Sequence, residues 1–314
     1  MEKINETGVV LNNQEYWDEY WQQGHKTSFG AEIIDNYDGA LKHFWQQSVK
    51  GLPDKANVVD LCSGNGALPS LFLDARQDLN ITATDLAQLD EAKLTKDIQK
   101  KHNNATIKFL SRVDCANLPF EISSQHLVSS QFGFEYGDTF ETIKEASRVL
   151  VKGGQFIAVM HVDDSRFISQ NRETNQFLNE VITKGFVEKL TALMNSIYEN
   201  NPDQKKLRQE FNQITKHLYN LSQLEYGQLQ IDSFLNVVQQ QVNVEESLKM
   251  IRLFDSQLVA YHLRLCDLMS SSQSDNDLEA LLEVCRKNSF NCIKSNRVYE
   301  FGDVIGHSLI LQKI

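Results

Sequence analysis

The sequence has little of several things, and each shortage excludes a class of protein. No window approaches the roughly 18 consecutive apolar residues of a membrane-spanning helix, so we expect no membrane partner. The five cysteines are an odd number, widely scattered and without metal-ligand spacing, which predicts reduced thiols in a cytoplasmic protein. The first residues, MEKINETGVVLNN, lack a basic region followed by an apolar stretch, so we expect no secretory signal.

Basic residues and turn formers are also scarce. The 42 acidic residues outnumber the 31 basic ones, for a net charge of -11, which argues against nucleic-acid binding although it is compatible with a local basic patch. Only 4 prolines occur, and glycines become rare after residue 154, which indicates a helical second half. The 41% hydrophobic and 23% charged residues are typical of a globular protein.

The first half alternates between short apolar runs and amphipathic segments. Two helices are predicted first, at residues 14–24 and 38–51. Strands are then predicted at 58–61, 81–85, 106–110, 127–132 and 155–161, and helices at 68–77, 90–102 and 140–150, with a turn at 152–154. This alternation predicts an α/β domain with a parallel sheet covered on both faces.

The second half has no strand-like run from about residue 165 to 288. Six apolar residues form a seam with alternating steps of three and four: Ile251, Phe254, Leu258, Tyr261, Leu265 and Leu268. One interpretation is a helical bundle packed within the chain, and the other gives part of the seam to a homodimer interface. A helix at 278–286 and strands at 291–301 and 304–311 follow.

The stretch VVDLCSGNGALP, residues 58–69, places a glycine turn between a strand and a helix. Such a turn lets a ligand approach the backbone next to the positive end of the helix dipole. Asp85 ends the next strand about 20 residues beyond the turn, where a carboxylate can accept hydrogen bonds from the two hydroxyls of a ribose. A helix N-cap is the alternative interpretation of Asp85.

Together with later blocks, this stretch resembles the class I S-adenosylmethionine-dependent methyltransferases. The matching blocks are VVDLCSGNGALP, ITATDLA, VDCANLPF, SSQFGFEY and RVLVKGGQFIAVMH. The resemblance implies a doubly wound, Rossmann-like, seven-stranded and mostly parallel sheet whose last strand is antiparallel. The helical spacing of the second half predicts a large all-helical insertion after strand five. The predicted domains are an N-terminal helical lid at 1–54, the methyltransferase domain at 55–164 and 275–314, and the insertion at 165–274.

The resemblance also implies the residues that bind S-adenosyl-L-methionine. Residues expected at the methionine part are Asp60, Ser63, Gly64 and Gly66. Asp85 is expected at the ribose and Leu86 beside the adenine, while Asp114 and Cys115 flank the adenine amino group. Gln131 and Phe132 are expected at the sulfonium end.

The N-terminal YWDEYWQQGHKTSFG is similar to the cofactor lid of thiopurine methyltransferase-like enzymes. Four residues are therefore expected to cover the cofactor and exclude water: Trp17, Trp21, His25 and Phe29. An aromatic face beside a sulfonium cation is worth roughly 0.5 to 2 kcal/mol. The alternative is a core helix whose aromatic side chains only pack.

The catalytic candidates follow from strand ends. His161 ends strand five, and Glu135 and Tyr136 follow strand four, so each is a candidate general base or acceptor contact. A hydrogen-bonded structural histidine is the alternative for His161. The sequence shows no metal-binding constellation. A dehydrogenase is disfavoured because Pro69 stands where its third glycine is needed.

We therefore expect methyl transfer to an O, N or S atom of a small molecule by in-line displacement. A methyltransferase that acts on protein or tRNA is one alternative. The other is a cofactor-binding protein without transfer activity, in which the helical insertion is an interaction module. The insertion itself is expected to roof the acceptor site, to form a homodimer contact, or both.

Overall fold

The computed structural model describes residues 15–29, 33–103, 105–241 and 243–314, and the backbone of two short paired strands, β1 (Lys3–Ile4) and β2 (Val10–Leu11). The prediction of no secretory signal rests on residues 1–13. Apart from the two short strands, these residues lie outside the described part of the chain. The chain divides into two compact units, residues 1–169 with 267–314 and residues 170–266. The predicted N-terminal lid belongs to the first unit.

The first unit is built on a seven-stranded sheet. Its strands are β3 (Asn57–Leu61), β4 (Asn80–Thr84), β5 (Thr106–Leu110), β6 (Gln125–Gln131), β7 (Leu150–Met160), β8 (Phe290–Glu300) and β9 (Asp303–Lys313). They lie in the order β5-β4-β3-β6-β7-β9-β8, and β9 runs antiparallel to both of its neighbours. The predicted fold class, a mostly parallel doubly wound sheet with an antiparallel last strand, is confirmed.

Helices cover this sheet. They are α1 (Glu15–Gln22), α2 (Gly39–Ser48), α3 (Ala67–Ala75), α4 (Glu91–Lys101), α5 (Thr139–Val149) and α12 (Asp275–Lys287), with a short 3-10 helix at Phe134–Tyr136. Central strands are apolar on both faces, as in β3, where four of five residues are buried. Two buried clusters result, one centred on Trp45 and Phe72 and the other on Phe134 and Phe156.

The chain order of the strands positions the site. The chain runs outward from β3 to β4 and β5, and then returns to pair β6 on the other side of β3. This reversal opens a crevice at the carboxyl ends of β3 and β6, which is where open α/β sheets bind ligands. The loops after β3, β4, β5 and β6 all meet at this edge.

The residues between β7 and β8 are helical apart from their connections. Besides α12 these helices are α6 (Arg166–Thr183), α7 (Phe186–Tyr198), α8 (Gln204–Leu221), α9 (Gln223–Gln228), α10 (Ile231–Gln239) and α11 (Val244–Ser271). The predicted seam lies on α11, and four of its six side chains are buried within the chain: Ile251, Leu258, Leu265 and Leu268. Within the second unit, Phe254 stacks on Phe234 with ring centroids 3.9 Å apart. This is the packing that a bundle within one chain requires, and the homodimer stays a prediction.

One predicted boundary was wrong. The turn expected at residues 152–154 lies inside β7, which begins at Leu150, directly after α5. Gly153 adopts a φ of 80°, and the pairing with β6 shifts register between Gln125 and Leu127. Residues 151–154 lie between the pairs Gln125–Leu150 and Leu127–Gln155 and form a bulge, and the strand is paired with β6 on both sides of it. Among the described helices, none is long and apolar enough to span a bilayer.

Candidate active site

The glycine turn is held against the end of the neighbouring strand. The Gly64 N–H donates to Asp85 Oδ2 at 2.7 Å, and the Ser63 N–H donates to the Thr84 carbonyl at 3.0 Å. Gly64 adopts a φ of 48°, and a Cβ there would lie 2.4 Å from the Trp21 ring. Only glycine therefore fits between this turn and the N-terminal segment.

A cavity of about 390 Å³ lies at the predicted sheet edge. Its lining comes from the loops after β3 to β6, from α1 and from the end of α11: Trp17, Trp21, Ser28, Cys62, Asp85, Leu86, Ala87, Asp114, Cys115, Phe132, Gly133, Glu135, Tyr136, Gly137, Asp267, Ser270 and Ser271. This volume is within the range of small-molecule sites, roughly 300 to 1,000 Å³. We call it the larger cavity.

A narrower cavity of about 30 Å³ shares Trp21, Ser28, Cys62 and Phe132 with the larger one. Its lining includes the predicted residues Asp60, Ser63 and Gln131. Of the residues predicted for the methionine part, Asp60 and Ser63 thus line the narrower cavity, whereas Gly64 and Gly66 are not among the described residues that line either cavity. The residues predicted for the nucleoside line the larger cavity.

Lys26 lines the narrower cavity and was missed by the sequence analysis. Its Nζ donates to the Asn65 carbonyl at 2.8 Å and to the Gly66 carbonyl at 3.1 Å. Burial lowers the pKa of Lys26 to about 8. Across the same cavity, Asp60 accepts a hydrogen bond from Ser129 Oγ at 2.9 Å, and burial raises its pKa well above the ordinary value. An acid and a base therefore face one small space.

Helix α1 covers this edge because its aromatic residues divide between two faces. Tyr16 and Tyr20 are buried, while Trp17 and Trp21 stack with ring centroids 6.1 Å apart and line the larger cavity. This arrangement is the one expected of the predicted lid. His25, in contrast, stacks on Tyr20 at 4.3 Å and is not among the described residues that line either cavity.

Phe29, the fourth predicted lid residue, packs behind the cavities. Its ring lies 4.2 Å from that of Phe167 and 5.3 Å from that of Phe132. It therefore supports Phe132, which lines both cavities. Like His25, Phe29 is not in the described lining of either cavity.

Side chains outside α1 fasten the lid. Asn65 Nδ2 donates to the carbonyls of Trp21 at 2.9 Å and His25 at 2.7 Å. Asp18 pairs with Arg112 at 2.5 Å, and Asp267 accepts hydrogen bonds from the Tyr16 hydroxyl and from Trp17 Nε1, the latter at 3.3 Å. These hydrogen bonds of the Asn65 side chain hold the lid segment against the glycine turn.

Asp85 is a buried carboxyl at the larger cavity. Its oxygens accept the N–H groups of Gly64 at 2.7 Å and Ala87 at 2.8 Å, yet burial raises its pKa to about 6. It is not the N-cap of the next helix, since Asp90 fills that position. Leu86 is 44% exposed in the same wall. A ribose could therefore reach this carboxylate from the cavity.

The adenine-side residues lie in the loop after β5. Asp114 is exposed, and its Oδ1 accepts the Ala116 N–H at 2.9 Å. Cys115 places its Sγ 3.3 Å from Cys62 Sγ, in the wall of the larger cavity. Both predicted residues are thus where a bound base could contact them.

Phe132 and Gln131 end β6. Phe132 has a φ of 53°, a strained conformation for a residue with a Cβ, and such strain concentrates at functional sites. It presents its ring to both cavities. Gln131 Oε1 accepts a hydrogen bond from Trp45 Nε1, which fixes the amide beside the narrower cavity.

His161 lies behind the cavity wall. It is 1% exposed, stacks on Phe132 at 4.4 Å, and is not among the described residues that line either cavity. Burial lowers its pKa to about 3. The structure therefore favours the alternative of a packed, neutral histidine over a general base.

The other two catalytic candidates do line the larger cavity. Glu135 accepts the backbone N–H groups of Gly133 and His161, each at 2.9 Å, and burial raises its pKa to about 7. The Tyr136 ring lies 5.8 Å from Trp17, and burial raises its pKa well above the ordinary value. Glu135 thus holds two backbone segments together, while Tyr136 and Trp17 form an aromatic corner.

Within the described ranges, no group of three or more His, Cys, Asp or Glu side chains is arranged to hold a metal ion.

The chain is similar to known proteins in its family and in its fold. The model of the ubiE/COQ5 methyltransferase family matches residues 38–230. No curated protein sequence matches the chain. A S-adenosylmethionine-dependent methyltransferase from Aquifex aeolicus is 9% identical over 95% of this chain and 98% of that chain, with a TM-score of 0.47.

Two further structures show the same kind of distant likeness. Geranyl diphosphate C-methyltransferase from Streptomyces coelicolor is 10% identical over 97% of this chain and 99% of that chain, with a TM-score of 0.43. A chain of the complex between the Haloferax volcanii Trm112 methyltransferase activator and a methyltransferase is 21% identical over 46% of this chain, with a TM-score of 0.37. This chain spans 60% of that chain. At such identities the likeness concerns the fold alone.

Proposed function

Because the chain belongs to the ubiE/COQ5 methyltransferase family, whose methyl donor is S-adenosyl-L-methionine, we propose that it methylates an O, N or S atom of a small molecule. The family match confirms the predicted enzyme class and cofactor. The acceptor is the part that we propose. The observation that supports it most is the lid, since an aromatic helix lines one side of a cavity of about 390 Å³ that suits a small acceptor beside the cofactor.

The residues present fit the cofactor. Lys26 and Asp60 face the narrower cavity as a base and an acid, which matches the carboxylate and ammonium groups of an amino acid. Asp85 offers the ribose a buried carboxylate in the larger cavity, and Asp114 and Cys115 offer the base a polar wall. We therefore assign the methionine part to the narrower cavity and the nucleoside to the larger one.

The bound cofactor supplies an activated methyl group with a good leaving group. The chain's own residues align the acceptor and exclude water. Trp21 lines both cavities, so its ring is placed beside the predicted sulfonium position, where an aromatic face stabilises a cation by roughly 0.5 to 2 kcal/mol. Trp17 and Tyr136 then form the aromatic corner available to the acceptor.

The charge of the lining favours a neutral or cationic acceptor. Four carboxyl-bearing residues line the larger cavity: Asp85, Asp114, Glu135 and Asp267. No lysine, arginine or histidine is among the described residues of that lining. With Asp85 and Asp114 assigned to the cofactor, a phosphate or carboxylate on the acceptor would meet Glu135 and Asp267 without a compensating cation, which costs binding energy.

We further propose that residues 170–266 select the acceptor, with homodimerisation as their alternative role. The support is connectivity: the chain leaves the first unit after Ser169 and returns at Asp267, which lines the larger cavity with Ser270 and Ser271. Light scattering of the purified protein tests homodimerisation, because a monomer at all concentrations rules out the homodimer.

The five free cysteines are consistent with the proposed cytoplasmic location.

The first test is calorimetric titration with S-adenosylmethionine and with its demethylated product, S-adenosylhomocysteine. Asp85→Ala should abolish micromolar binding, whereas Asp54→Ala should leave it unchanged, because the Asp54 side chain is fully exposed. Equal affinities of the two variants would refute the assignment of the ribose to Asp85.

The second test follows transfer of a labelled methyl group to separate pools of small molecules, proteins and tRNA. Label in the small-molecule pool supports the proposal. Label in the protein or tRNA pool establishes one of the alternatives instead. Tight cofactor binding with no transfer to any pool would favour a cofactor-binding protein whose helical unit is an interaction module.

A further inference from the structure

Two thiols meet in the wall of the larger cavity. Cys62 follows β3 and Cys115 follows β5, and their Sγ atoms lie 3.3 Å apart although the residues are 53 positions apart in the chain. Both side chains line the larger cavity, and Cys62 also lines the narrower one. Both are half-buried, so a small reagent that enters the cavity can reach them.

We propose that Cys62 and Cys115 are an oxidisable dithiol whose disulfide closes the cofactor site. The effect on binding rests on the proposed placement of the cofactor, whereas formation of the bond does not. Disulfides of cytosolic proteins are usually of this transient, redox-sensing kind.

The oxidant that fits the cavity is a small peroxide. One cysteine, as its thiolate, attacks a peroxide oxygen; the O–O bond breaks, hydroxide leaves, and a sulfenic acid forms. The second thiol attacks that sulfur, the S–O bond breaks, and water leaves with the thiol proton. In sum, two thiols and one hydrogen peroxide give one disulfide and two water molecules.

The backbone holds the two thiols together. Cys62 adopts a φ of 52°, which is rare for a residue with a side chain, and a Cβ on Gly133 would lie 2.4 Å from the Cys62 Cβ. The loop after β6 thus packs closely against Cys62. The neighbouring thiol and burial raise the pKa of Cys62, so little thiolate is present at neutral pH. We expect oxidation over minutes to hours rather than milliseconds.

Closing the bond changes the site. The sulfur atoms must approach from 3.3 Å to about 2.05 Å, so the loops after β3 and β5 move together. These loops carry Ser63 and Gly64 on one side and Asp114 on the other, the residues assigned to the two ends of the cofactor. Oxidation should therefore weaken binding, and by linkage a bound cofactor should disfavour oxidation by the same factor.

The test treats the reduced full-length protein with hydrogen peroxide, with and without S-adenosylhomocysteine. Peptide mapping by mass spectrometry should recover the Cys62–Cys115 cross-link, and S-adenosylhomocysteine should slow its formation. Calorimetry should show an affinity for S-adenosylhomocysteine that falls at least tenfold on oxidation and returns with dithiothreitol.

Two variants control the chemistry. Cys62→Ser should lose both the cross-link and the sensitivity of its affinity to peroxide, whereas Cys292→Ser, at an exposed position, should keep both. Peptides with Cys62 and Cys115 unlinked after oxidation, or linked with unchanged affinity, would overturn the proposal. If the reduced wild type binds no S-adenosylhomocysteine, the proposed cofactor placement fails, and the peptide map still decides whether the dithiol exists.

Discussion

Replacement of Lys26 by methionine tests the assignment of the methionine part. Lys26 is the only positively charged side chain among the described residues that line the narrower cavity. Two of its three N–H donors go to the Asn65 and Gly66 carbonyls, at 2.8 and 3.1 Å, and we assign the third to the cofactor carboxylate. A hydrogen bond to a charged group contributes about 1.5 to 3 kcal/mol. The affinity for S-adenosylhomocysteine should therefore fall about 10- to 150-fold.

The assay separates this role from an effect on the lid. 5′-Methylthioadenosine keeps the nucleoside and the sulfur but lacks the amino acid, so its affinity for Lys26→Met should stay within about twofold of the wild-type value. Lys42→Met is the matched control, since Lys42 is half-exposed and pairs only with Asp38 among the described residues. Equal losses for both ligands would mean that Lys26 acts through the lid. No loss for either would place the carboxylate elsewhere.

Three further outcomes follow from the same contacts. Asn65→Ala removes both clamps on the lid, about 1 to 2 kcal/mol, so amide hydrogen exchange of residues 15–29 should accelerate; unchanged exchange would contradict the clamp. Because Asp85 must be ionised to accept hydroxyls and its pKa is about 6, calorimetric affinity for S-adenosylhomocysteine should rise as the pH passes through that value and then level off; a flat profile would contradict the role. His161 has a pKa of about 3, below its unfolded value, so its stabilising contribution is present above about pH 6.5 and lost on acidification. The stability advantage of the wild type over His161→Gln should thus shrink by about 3 kcal/mol between roughly pH 7 and 4 in urea unfolding, whereas a constant difference would mean that His161 titrates normally.

The sheet could be predicted because its strands are buried on both faces and are punctuated by turns. The third strand of the large sheet, Thr106–Leu110, has the predicted bounds, and the order of elements matches throughout the α/β part. The missed start of β7 has a local cause. Glycines at 153 and 154 predict a turn, but here they lie in a bulge, and pairing with β6 at Leu150 and again at Gln155 continues the strand on both sides of them.

The site was predictable only where residues follow strand ends. Parallel strands bring their carboxyl ends to one edge, so Asp60, Asp85 and Asp114 could be placed together from the motif order alone. The contacts of Lys26 and Asp267 could not be predicted from the sequence, because they join parts of the chain that share no local pattern. His161 illustrates the same limit: its strand position is as predicted, but the packing of Phe132 in front of it removes it from the cavity.

The lid contacts also bear on how the site opens. Trp21 lines both cavities and lies directly over Gly64, so a movement of α1 would widen the entrance to the narrower cavity. Such a movement breaks the two hydrogen bonds of Asn65, those of Tyr16 and Trp17 to Asp267, and the Asp18–Arg112 pair. Together these contacts cost on the order of several kcal/mol to break. The open form is therefore a small minority of molecules, which slows release of a bound cofactor. After transfer the product keeps its amino-acid groups but its sulfur is neutral, so the attraction of the sulfur to the Trp21 ring is lost, which favours opening of the lid and release of the product.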